Sequence, residues 1–123
     1  MTYTSDIPPH LARFELGECS IDATTNRVSR ATAWKRIEPK QMHVLLSLAR
    51  ANGSVRTKFD LLDEVWPARY VVDGTLKRAV SELRKALGDD PRNPRYIETV
   101  YKVGYRLVSL PRPVAEGDDL TRI

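Results

Sequence analysis

Within the stretch 75–85 the chain carries Thr75, Lys77, Arg78, Ser81, Glu82, Arg84 and Lys85. Cations, hydroxyls and one carboxylate at this density suit the holding of a polyanion. Lysine and arginine neutralise phosphates, arginine pairs bidentately with guanine, and serine bonds either donors or acceptors. Spacing sorts the set. Leu76, Ala79, Val80, Leu83 and Leu87 recur as one apolar helical stripe. At ~100° per residue Gly74, Arg78, Ser81 and Lys85 fall opposite that stripe. Lys77 and Arg84 take one flank, Thr75 and Glu82 the other. A basic amphipathic helix of this kind is read either as a solvated surface or as an anion-binding one.

Other chemistry has little to work with. His10 and His43 stand far apart with no metal-ligand spacing around them. Cys19 is the only cysteine, so no internal disulfide can form, and in its strand pattern it reads as a small core residue. There is no glycine-rich phosphate loop, zinc spacing or nucleophile elbow. Asp63-Glu64 and Asp89-Asp90 read as solvated pairs at helix ends or turns. An enzyme is the weakest hypothesis, and no cofactor, metal or small-molecule substrate is implied.

The anion-facing set needs a scaffold. The helix over 73–87 has Asp73 as its expected N-cap and Gly88 as its stop. A first helix over 38–52 starts with Pro39 at its first position and closes at Gly53. After a short extended link, 54–56, Thr57 caps a second helix over 58–66, with Asp60 completing a weak capping box. Residues 13–36 alternate in short runs, giving three or four antiparallel strands, with Asn26 in a left-handed turn. Residues 96–101 and 105–108 form a hairpin around Lys102-Val103-Gly104. Trp34, Leu45, Leu62, Trp66, Leu83 and Tyr105 are expected in the core or at its rim. The expected division is a flexible N-terminus (1–12), one folded domain (13–109) and a flexible tail or linker (110–123).

The chain has 123 residues, a net charge of +4 and a pI near 9.4. Residues 74–110 hold 8 Lys/Arg against 4 Asp/Glu, so the basic excess coincides with the third helix and the hairpin. The first ten residues lack the apolar run of a signal peptide, and no stretch approaches the ~20 apolar residues of a membrane span. The expected location is the cytoplasm, as a soluble protein or as the cytoplasmic part of a longer, membrane-anchored regulator.

Strands, helix, helix, loop, basic helix and hairpin, in that order, describe an α+β winged helix-turn-helix. The run L-K-R-A-V-S-E-L-R-K-A-L-G-D-D-P-R-N-P-R-Y-I-E-T-V, followed by K-V-G-Y-R-L, resembles the OmpR/PhoB-type winged-helix DNA-binding domain. Within that family it is similar to the CadC/ToxR-like one-component transcriptional regulators. L-L-D-E-V-W-P on the second helix and E-P-K-Q on the first fit the same pattern. The resemblance covers about residues 13–109. It implies an N-terminal antiparallel four-stranded sheet, three helices and a C-terminal β-hairpin wing, with the third helix as recognition helix. It also implies transcriptional regulation, tandem homodimers on direct repeats, and RNA polymerase contact through the loop before the recognition helix: Pro67, Ala68, Arg69, Tyr70, Val71 and Val72. The hairpin tip departs from the Arg-Gly of many members, which makes Lys102 the candidate for the minor groove.

On this reading double-stranded DNA is the partner. Arg78 and Ser81 are expected at base edges; Lys77, Arg84 and Lys85 at phosphates; Thr75 at a phosphate near the helix start. Glu82 either accepts from a cytosine amino group or pairs with Arg78 one turn away. Arg95, Thr99, Tyr101 and Lys102 are wing candidates. Arg106 is read equally as a wing contact or as the structural partner of an acid in the sheet. The competing reading is a winged-helix protein–protein interaction module that binds no DNA.

Overall fold

The computed structural model describes residues 7–67, 71 and 74–114. Alternating apolar residues yield four short antiparallel strands: β1 (Arg13–Leu16), β2 (Cys19–Asp22), β3 (Arg27–Arg30) and β4 (Ala33–Arg36). Their register pairs Phe14 with Ile21, Ile21 with Val28 and Ser29 with Trp34. Asn26 is left-handed (φ 57), as its side chain allows.

Helix α1 (Pro39–Ala51) opens with a capping box between Glu38 and Gln41 and Pro39 in its first turn. Its left-handed C-cap is Asn52 (φ 51), one residue before the expected Gly53. The link before the second helix is more than extended chain: Arg56–Thr57 form β5, paired with β7. Helix α2 (Lys58–Val65) starts on the Thr57–Asp60 capping box, Asp60 N donating to Thr57 Oγ1 at 3.0 Å. It ends one residue sooner than expected, with Trp66 as its C-cap.

Helix α3 (Thr75–Leu87) begins on Gly74 (φ 90), which has no side-chain cap hydrogen bond. This corrects the expected cap at Asp73, which lies outside the described residues. A glycine fits because the chain enters the helix through a left-handed residue. At the other end Gly88 N bonds Lys85 O and Asp89 N bonds Arg84 O, a Schellman stop. The predicted stripe is buried: Leu76, Ala79, Val80, Leu83 and Leu87, joined by Ala86.

The hairpin is β6 (Ile97–Val100) and β7 (Gly104–Leu107), and the sheet order is β5-β7-β6. Asp89, read as solvated, instead organises the entry to β6. Its carboxylate accepts from the backbone N–H of Arg95 (2.7 Å), Tyr96 (3.3 Å) and Ile97 (2.9 Å). Glu64, also read as solvated, accepts from Ser47 and Arg56 and pairs with Arg50, tying α2 to α1. Both acids satisfy buried or half-buried donors that sequence patterning does not reveal.

Two boundary expectations change. Residues 9–11 form a 3-10 turn that buries Leu11, so the fold starts before residue 13. Arg112–Pro113 form β8, which pairs with β1 and completes the sheet order β4-β3-β2-β1-β8. Proline is tolerated there because β8 is an edge strand. Trp34 is a further correction: it is 49% exposed on the edge strand β4 rather than in the core. Leu62 and Trp66 pack against the core as half-buried residues, while Leu45, Leu83 and Tyr105 are buried.

Candidate nucleic-acid interface

The amphipathic geometry of α3 leaves Lys77, Arg78, Ser81 and Lys85 exposed, with Thr75, Glu82 and Arg84 half-buried on the flanks. Neither Lys77 nor Arg78 makes an ion pair among the described residues. Glu82 does not pair with Arg78: it accepts from Lys85 Nζ at 3.2 Å. At this exposed site the i, i+3 pair contributes only tenths of a kcal/mol.

Arg84 points elsewhere than its neighbours. Its guanidinium NH2 donates to Ile97 O at 2.9 Å and Thr99 Oγ1 at 2.8 Å, both on β6. Its Nε is buried with no partner among the described residues. Strand β6 is the outer strand of its sheet. The carbonyl of Tyr96 accepts from Val108 N, just past the end of β7, so the alternate carbonyl, Ile97 O, faces away from the ladder. Arg84 takes that open carbonyl and ties the wing to α3. Thr99 is thereby an anchor for Arg84 as well as a wing residue.

Tyr101, Lys102 and Val103 form the hairpin tip, with Tyr101 80% exposed. Lys102 is left-handed (φ 62), and its ammonium lies 5.4 Å from the Tyr101 ring centroid. The tip therefore presents an aromatic ring and a cation together. Gly104 follows it for a reason the turn does not supply. A Cβ there would lie 2.0 Å from Arg56 O, so only glycine lets β5 approach β7. Arg106 Nε bonds Glu98 Oε1 at 2.6 Å, the structural pairing of its two readings.

Arg95 is placed away from the tip. It precedes β6, stacks over Tyr96 and lies 3.6 Å from Glu18 in the turn between β1 and β2. This corrects its grouping with the wing, because the loop held by Asp89 keeps it near the C-terminal end of α3. Of the loop 67–72, Pro67 and Val71 are described; Ala68, Arg69, Tyr70 and Val72 lie outside the described residues. Val71 lines a cleft of about 360 Å³ with Lys58, Phe59, Leu62 and the start of α3.

Some residues of this surface escaped the sequence reading. Phe59 is 78% exposed beside Lys58 at the start of α2, whose buried residues are Leu61 and Val65; its i, i+3, i+7 spacing with Leu62 and Trp66 put it on an apolar edge, so periodicity alone did not single it out. Lys35 and Arg36 of β4 line a cleft with Glu82 of α3. Their signal was the acid-free run R-V-S-R-A-T-A-W-K-R at 27–36.

Titration adds little chemistry. Burial raises the Cys19 thiol above its ordinary value, so it stays protonated in the core. Burial likewise raises Tyr105, opposed by the charge of Arg84. No group of three or more metal-ligating side chains occurs among the described residues, and no described helix is long and apolar enough to cross a membrane.

Comparison with known proteins gives consistent matches. The family described as transcriptional regulatory protein, C terminal, matches residues 34–107. The chain is 35% identical over 94 residues to the transcriptional activator CadC of Escherichia coli, covering 76% of this chain and 18% of CadC. It is 41% identical over 83 residues to the transcriptional regulator HilA of Salmonella typhimurium, covering 63% of this chain and 15% of HilA. The chain thus spans under a fifth of either relative. Among solved structures, the E. coli CadC DNA-binding domain superposes with a TM-score of 0.73 at 31% identity, covering 83% of this chain and 96% of that one. The Klebsiella pneumoniae RstA DNA-binding domain, solved in complex with the RstA box, superposes with a TM-score of 0.67 at 26% identity, covering 77% and 95%.

Proposed function

The chain belongs to the OmpR/PhoB-type family of transcriptional regulatory C-terminal domains, a family of winged-helix DNA-binding domains, and on that premise we propose how it engages DNA. Helix α3 enters the major groove of double-stranded DNA and the β6–β7 hairpin reaches the adjacent backbone or minor groove. One observation carries the reading: the exposed, cationic side of α3 runs beside a wing that Arg84 holds in place. A helix with this exposure fits a groove ~12 Å wide. Arg78 and Ser81, nearer the N-terminal half of α3, read base edges. Lys77 and Lys85 meet phosphates, Thr75 bonds a phosphate at the helix start, and Lys102 with Tyr101 supplies the wing contact.

Selection of bound sites from random duplexes, followed by a salt titration on the selected site, tests this. With on the order of 4–6 phosphates contacted, log K falls against log salt with a slope of roughly −4 to −5. Absence of binding to any duplex pool at low salt refutes it. The selected sites also report symmetry: direct repeats support tandem homodimers, and a single unrepeated site refutes them.

The loop 67–72 is proposed to contact RNA polymerase, supported by its position between α2 and α3 and by the family resemblance. Tyr70→Ala then leaves DNA affinity unchanged and lowers transcription in a reconstituted assay. Equal losses of affinity and activity place the loop in the DNA interface instead. The same reading places the domain in the cytoplasm, where it meets DNA.

A further inference from the structure

A helix lying in the major groove has a sugar–phosphate backbone on each side of it, and the wing serves only one of them. Arg84, which holds the wing, and Glu82 stand two residues apart on α3, which puts them ~160° apart around the helix axis. The Glu82 side faces β4: Glu82 lines a cleft with Lys35, Arg36 and Gln41. Strands β3 and β4 and their turn carry Arg27, Arg30, Lys35 and Arg36 and no acid, and all four are exposed. Arg27 stands directly opposite Arg36 across the strand pair. Facing like charges destabilise a sheet, and none of the four makes an ion pair among the described residues. The two acids lining the cleft are engaged: Glu82 by Lys85, Glu38 by the α1 capping box. Asp22 of β2 faces Arg27 from its other side, whereas Lys35 and Arg36, on the edge strand, face only Val28 and Arg27; these two cations line the cleft on the flank of α3 that the wing leaves open.

We propose that Lys35 and Arg36 bind the phosphodiester backbone bordering the major groove on the side opposite the wing, so that α3 is gripped between two backbone clamps. The proposal rests on the placement of α3 in the groove and adds residues 40 positions or more upstream of the recognition helix's own cations. An anionic membrane surface would also meet these charges. DNA is favoured because the cleft is continuous with the outward side of α3 through Glu82.

The test is a salt titration of the whole chain on its selected duplex, comparing wild type with the Lys35→Ala/Arg36→Ala double variant. With about 0.9 in slope per phosphate, the double variant loses roughly 1.8 from the magnitude of the salt slope. Its specific-to-nonspecific affinity ratio stays at the wild-type value, since backbone contacts carry no sequence information. The charge-preserving Lys35→Arg/Arg36→Lys variant retains the wild-type slope. Both positions are exposed on an edge strand and Arg36→Ala relieves the repulsion with Arg27, so the melting temperature holds or rises, which separates this loss from unfolding. A double variant that binds the duplex with the full wild-type slope overturns the proposal. So does an unchanged slope accompanied by lost binding to vesicles of anionic phospholipid, which assigns the patch to a membrane. Failure of the wild type to bind any duplex overturns the placement of α3 itself, a different and prior result.

Discussion

Replacing Arg84 by methionine separates a wing anchor from a phosphate clamp. The substitution removes two hydrogen bonds, to Ile97 O at 2.9 Å and to Thr99 Oγ1 at 2.8 Å. A hydrogen bond from a charged donor contributes about 1.5–3 kcal/mol where it is shielded. Thr99 is exposed and β6 is an outer strand, so water replaces part of each bond and about 1 kcal/mol apiece is the better figure. Methionine also eliminates the buried, unpartnered Nε, whose burial costs about 1 kcal/mol or more. The net loss is about 0.5–1.5 kcal/mol, a fall of a few degrees in melting temperature for a domain of this size. On DNA, specific affinity falls because the wing no longer holds its position against α3, while the salt slope stays at the wild-type value, Arg84 being committed to β6. Thermal melting and a salt titration on one selected duplex read both quantities. A slope reduced by about 0.9 with unchanged melting refutes the reasoning: Arg84 then leaves the wing and binds a phosphate.

Three further outcomes follow from the geometry. Arg78→Ala costs about 1–3 kcal/mol on the preferred site and relaxes base choice at one position, whereas Lys85→Ala weakens all duplexes alike; the specific-to-nonspecific ratio at one salt concentration distinguishes them. Gly104→Ala drives a Cβ into Arg56 O and forces β5 off β7, destabilising the domain by about 2–4 kcal/mol in urea unfolding; a loss under about 0.5 kcal/mol would show that β5 is dispensable. His43 is held below its ordinary value of 6.5 by burial first, with Arg50 and Lys40 adding to the depression and Glu64 opposing it. The unfolded chain then binds the His43 proton more readily than the folded one, so the folded state is penalised as pH falls below 6.5 and not above it. His43→Gln accordingly shows a smaller drop in melting temperature between pH 7.5 and pH 5.5 than wild type; an equal drop assigns the acid sensitivity to other groups.

The three helices, their order and most of their ends were legible in the residues, because the signals are local. The stripe Leu76–Ala79–Val80–Leu83–Leu87 is a spacing of 3.6, the Thr57–Asp60 box closes over three residues, and Gly88 stops α3 through its own backbone freedom. The outward set Arg78, Ser81 and Lys85 followed from the same spacing, since whatever lies opposite a buried stripe faces solvent. What each flank residue touches did not follow. Lys77 and Arg84 share a flank of the helix in projection, yet one is exposed and the other is bonded to β6, because only Arg84 lies level with the strand packed there. Asp89 and Asp90 are adjacent acids in one turn, but Asp89 alone meets the three N–H groups that start β6. Lys35 and Arg36 reach the side of Glu82 only when the N-terminal sheet closes against the helices, and Gly104 is needed for the approach of β5 rather than for its own turn. Periodicity and capping operate over a few residues along the chain. Hydrogen-bond partners, like-charge neighbours and steric limits arise between segments brought together by core burial, and these the tertiary structure alone decided.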